Sequence, residues 1–149
     1  MLRWILAAIH LLGLGIGLGA VWVRARSLSV RPLDRPALQR TFAADSWWGL
    51  AAAVWIGSGL WRLLAGTEKP TAYYLSNHAF YAKMGLLVGI LLLEVWPMVT
   101  LIRWRAVVRK GGLPDASPAA AIARISYVQA LLVVLMVLAA TAMARGIGF

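Results

Sequence analysis

His10, His78, Lys83 and Glu94 are ionisable side chains set within or at the edge of long apolar runs. At membrane depth such groups are costly unless the fold uses or neutralises them, so each marks a place for chemistry or for internal pairing. An imidazole ligates a metal or passes a proton, a desolvated lysine amine can turn neutral and become a ligand, and a carboxylate takes protons or clamps a cation. No serine or cysteine nucleophile lies beside a base and no carboxylate pair stands out, which argues against hydrolase chemistry. The chain has no cysteine, excluding disulfides, thiolate ligands and iron–sulfur clusters.

Stepping along the face of His10 gives Ala7, Gly13, Gly17 and Ala20, and stepping from His78 gives Ala82, Gly85 and Gly89. Small residues on one stripe let another backbone, or a flat ligand, come close. Two readings stand side by side. Either the stripes pack on each other, with His10 bonded to a carbonyl or tyrosine, or a planar cofactor lies on Gly13 and Gly17 while His10 ligates its metal, as in b-type haem sites of helix bundles. Arg62, Lys69 and Arg145 gather near the same end with Glu68 the one acid there, a setting for haem propionates or another carboxylate, or else for cations snorkelling to the interface. Lys83 is a second axial ligand if its amine is neutral. His78 competes for that role, and the two point about 140° apart on one helix, so both cannot bind one metal. Glu94 shares the Lys83 face but lies about 16 Å deeper, where Gln129, Arg124 and Asp45 are within reach. That position suits a structural clamp, with proton entry as the functional alternative.

The elements that would position these groups are membrane helices. Hydrophobic residues make up 62% of the 149 positions and charged ones 13%, outside the range of a soluble domain. The runs Trp4–Val23, Trp47–Leu64, Ala79–Ile102 and Ile122–Ala144 are each about long enough for a hydrocarbon layer of roughly 30 Å. The formal charge of +10 sits mainly in two loops beside the spans, which fits topology and not nucleic-acid binding. Arg24, Arg26, Arg31, Arg35 and Arg40 fill the first loop, and Arg103, Arg105, Arg109, Lys110 and Arg124 the other. The positive-inside rule makes both cytoplasmic and both termini external. Reading Met1–Ala20 as a cleaved signal peptide would require the following arginines to be translocated, which disfavours it. Prolines and glycines in "RPLDRP" and "GGLPDASP" mark short turns, so an all-α, antiparallel four-helix integral membrane bundle in a single domain is expected.

The stretch "DSWWGLAAAVWIGSGLWRLLAGTEKPTAYYLSNHAFYAKMGLL", with "LIRWR" and the terminal "MARGIG", resembles the DUF2214 family of predicted bacterial membrane proteins, and does so over nearly the whole chain. Asp45, the glycine after it, Arg62, the pair Tyr73–Tyr74, Asn77 and Lys83 carry the resemblance. More distantly, a first-helix histidine and a third-helix lysine look like HemJ-type protoporphyrinogen oxidase, which implies His10 and Lys83 as haem-site residues. The copper-resistance D membrane proteins share a similar plan, but the methionines here are scattered. The expectation is therefore an inner-membrane bundle binding haem b between the first and third helices, with His10 on the metal and Lys83, His78, Arg62, Gly13 and Gly17 around it, passing electrons or protons to a membrane redox partner. The alternatives are a non-enzymatic scaffold or assembly subunit of a larger complex or homo-oligomer, and oxidation of a tetrapyrrole.

Overall fold

In a computed structural model the described residues, 1–65 and 70–147, are mainly helical, with no strand among them. Four long helices, α1 (Leu2–Leu28), α2 (Arg35–Leu64), α4 (His78–Arg109) and α5 (Ala119–Ala144), are joined by turns and by the short α3 (Thr71–Leu75). Three of them, α1, α4 and α5, are long and apolar enough to cross a membrane. The fourth, α2, is as long but interrupts its apolar run with Arg40, Asp45 and Arg62.

The helices outrun the apolar segments that mark them. Expected from Trp47, α2 starts at Arg35, because Asp34 accepts a hydrogen bond from Ala37 N at 2.9 Å and Pro36 occupies the first turn. Its first three turns are too polar for hydropathy to register. Asn77 does the same for α4, accepting from Ala79 N at 2.8 Å. At the other end of α1, the Ser29 hydroxyl donates to the Ala25 carbonyl at 2.8 Å.

Packing follows an order that chain sequence alone does not suggest: α1 lies between α2 and α5, and α5 lies between α1 and α4. As α1 numbers rise, their α2 partners fall: His10 meets Ser58, Gly13 meets Trp55, Gly17 meets Trp48 and Arg24 meets Asp45. The α1–α2 pair is thus antiparallel, and so is α4–α5, where Asn77 reaches Ile147, Gly89 nears Leu132 and Glu94 meets Gln129. One apolar cluster joins Val21, Trp48, Trp55, Ile90, Val133 and Met136 in mid-bundle. A second gathers Leu28, Leu38, Leu101, Trp104 and Ile122 at the loop end. Each cluster draws on all four long helices, so burial holds the set together from two levels.

Candidate functional site

Two polar centres lie on the α1–α2 seam. The larger is built on Arg24, which falls on the same buried stripe as His10, Gly13, Gly17 and Ala20, and whose side chain is wholly shielded from solvent. Its guanidinium uses its five N–H donors on five acceptors. Nε donates to Ser126 Oγ at 3.0 Å; Nη1 donates to Asp45 Oδ1 at 2.8 Å and to Glu94 Oε1 at 2.7 Å; Nη2 donates to Glu94 Oε2 and to Gln129 Oε1, both at 2.8 Å. The Glu94 contact is the bidentate fork that makes arginine–carboxylate pairs strong and directional.

The acceptors are themselves tied down. Gln129 Nε2 donates to Glu94 Oε2 at 2.8 Å and to the Ile90 carbonyl at 3.2 Å, and Ser126 Oγ donates to the Ile122 carbonyl at 2.9 Å. Asp45 Oδ2 accepts from Arg105 Nη2 at 2.7 Å. Arg105 also donates to the Phe42 carbonyl at 2.9 Å and lies 5.1 Å from the centroid of the Phe42 ring. Two guanidiniums face two carboxylates, so the cluster is neutral as a whole and joins α1, α2, α4 and α5. Arg124, expected beside Glu94, is exposed; the cation that Glu94 meets is Arg24. Arg24 was legible, since it continues the His10 stripe at helical spacing, but grouping it with the loop arginines hides that register.

The smaller centre is His10. Its Nδ1 lies 3.0 Å from the Trp55 carbonyl and 3.0 Å from Ser58 Oγ, and the Ser58 hydroxyl itself donates to the Trp55 carbonyl at 3.1 Å. With its proton on Nδ1, the imidazole donates to that carbonyl, an arrangement that fixes the ring. Across the seam, a Cβ added at Gly59 would come within 3.1 Å of His10 Cε1, so glycine there lets the ring lie on the α2 backbone.

The remaining expected residues disperse. Gly13 and Gly17 face α2 and not the third span: a Cβ at Gly13 would lie 3.3 Å from Trp55 Cβ, and one at Gly17 would lie 3.4 Å from the Trp48 ring. His78 is exposed on the first turn of α4, turned out because Asn77 caps that turn and is itself buried. Gly85 is exposed with nothing near it, and Gly89 touches α5. Lys83 and Arg62 are half-buried on α4 and α2. Glu68 and Lys69 lie outside the described residues. A haem lying on Gly13 and Gly17 does not fit this arrangement, because Trp48 and Trp55 fill the space that these α1 glycines would offer the macrocycle. Among the described residues, no group of three or more metal-ligating side chains forms.

Long apolar helices around a closed, neutral charge cluster define a helical integral membrane protein. The chain belongs to the DUF2214 family of predicted membrane proteins, which matches it over residues 2–148. No curated protein and no solved structure matches it.

Proposed function

We propose that the chain is a non-catalytic subunit of a bacterial inner-membrane assembly, with all four long helices crossing the bilayer up-down-up-down and both arginine-rich loops in the cytoplasm. The observation that carries this reading is the use of the Arg24 donors: the fully buried guanidinium is engaged in joining helices. The same helices keep a face suited to a partner. Gly49, Ala53 and Gly57 recur every fourth residue on the exposed side of α2, and a Cβ added at Gly49 or Gly57 would meet nothing within 4 Å. Small residues at that spacing let a second helix approach closely in lipid, where packing and not hydrophobic burial drives association. The face escapes a search for polar residues because it contains none.

Membranes extracted in mild detergent are expected to release the chain in a particle well above its own 16.2 kDa, and Gly57→Ile is expected to break that particle while leaving the melting of the isolated chain unchanged. A particle of one chain, or one indifferent to Gly57→Ile, overturns the proposal. So does a visible Soret band that disappears on His10→Ala, which would favour haem at the imidazole.

A further inference from the structure

At the loop end of the α1–α2 seam the two helices leave a groove of about 380 Å³. Ile16, Gly19 and Val23 of α1 and Ala43, Ala44 and Trp47 of α2 line it, and Arg40 closes one end. Arg40 is also a wall of a second hollow, of about 360 Å³, to which Arg26, Ser27 and Ser29 contribute. The two hollows adjoin at Arg40, one apolar and the other cationic and hydroxyl-bearing. Each is of the size that holds a small-molecule ligand, roughly 300–1,000 Å³.

The charge at the polar end is not neutralised from within. Arg26 and Arg40 are both exposed, and neither guanidinium forms a hydrogen bond or ion pair among the described residues. The acids nearest in sequence are occupied elsewhere, Asp34 in capping α2 and Asp45 in bridging Arg24 and Arg105. An apolar groove that opens beside two uncompensated guanidiniums, at the end of apolar helices, matches one ligand chemistry: a hydrocarbon chain attached to an anionic phosphodiester. Arginine suits that task because its planar fork meets phosphate oxygens in pairs.

We propose that this is a binding site for an anionic glycerophospholipid in the leaflet at the α1–α2 loop end, with an acyl chain along Ile16, Gly19 and Ala44 and the phosphate between Arg26 and Arg40. The site is independent of the assembly face on α2 and of the His10 centre.

The test uses the full chain, purified and delipidated in detergent, with lipid retention read by native mass spectrometry. Phosphatidylglycerol is expected to be held about ten-fold more tightly than phosphatidylcholine of the same chains, a difference of one charge-assisted contact or so. Arg26→Gln with Arg40→Gln is expected to bring phosphatidylglycerol down to the phosphatidylcholine level. Gly19→Leu is expected to weaken both lipids, because its side chain enters the groove from a position where an added Cβ meets nothing within 4 Å. Arg103→Gln with Arg109→Gln, exposed on the last turns of α4, is expected to leave the preference intact. Equal retention of the two lipids, a preference that survives the Arg26 and Arg40 changes, or one lost with Arg103 and Arg109 overturns the proposal. Displacement of the lipid by millimolar inorganic phosphate overturns it too, since the site would then be one for free phosphate.

Discussion

The Arg24 cluster and the His10 centre occupy the same seam, yet they do different work. The His10 Nδ1 meets α2, through one carbonyl and one hydroxyl of a single turn. Arg24 reaches three other helices at once, and its partners Asp45 and Glu94 are only 14% and 18% exposed. A joint between two helices can open without disturbing the rest of the bundle. A junction of four cannot, because removing its centre leaves Glu94 without a cation and Asp45 with Arg105 alone, in a region with little water to solvate them. The loop end of the molecule is therefore specified by directional charge, and the middle of the α1–α2 seam by close contact between glycine and tryptophan.

The sharpest way to break that contrast is to remove the junction. Arg24→Met is expected to cost about 3–5 kcal/mol, the range for stripping one partner from a buried ionic network. Arg24→Lys should recover little, since an ammonium offers three donors where five acceptors wait. Thermal melts in detergent measure both, and a loss no larger than that of His10→Ala would abolish the distinction between junction and joint. Within the junction the carboxylates should rank: Glu94 accepts from three N–H donors and Asp45 from two, so Glu94→Gln is expected to cost about 2–3 kcal/mol and Asp45→Asn about 1–2 kcal/mol. The reverse order in matched melts would mean that the Arg105 bridge dominates.

At the glycine seam, Gly13→Ala and Gly15→Ala form an internal control. Both gain helix propensity, but the new Cβ at Gly13 meets Trp55 Cβ and N at 3.3 Å whereas at Gly15 it meets nothing. Gly13→Ala is expected to melt below Gly15→Ala by about 1–2 kcal/mol. The smallest effect is in the loop before α5. Asp115 accepts from the Ser117 hydroxyl at 2.6 Å and from its backbone N–H at 3.0 Å, and these bonds hold the carboxyl below its ordinary value. A depressed folded-state value means that the stabilisation is present above the unfolded value and lost as pH falls through the folded one. Since Asp115 is fully exposed, Ser117→Ala should raise its titration seen by NMR and leave the melt unmoved.

The membrane helices were legible because an unbroken apolar run of that length would be insoluble outside a bilayer, and their loop ends were not, because helices that leave the hydrocarbon carry on with polar residues. The register of α2 before Trp47 rests on Asp34 and Pro36, local signals that hydropathy overlooks. That Glu94 would need a partner near Gln129 and Asp45 followed from its depth. Which arginine answered it depended on a tertiary fact, the placement of α1 between α2 and α5, that no local pattern encodes. The glycines of α1 signalled a close approach correctly in kind, but a stripe of small residues does not name what approaches, and here it is α2.

Two of the atoms that satisfy Arg24, on Ser126 and Gln129, lie 102 and 105 residues further along the chain. Until α5 is made, Arg24 therefore has only the acceptors of α2 and α4 to meet. Chains truncated before α5 are therefore expected to leave two of the Arg24 donor positions unanswered and to be degraded faster in cells than the full chain.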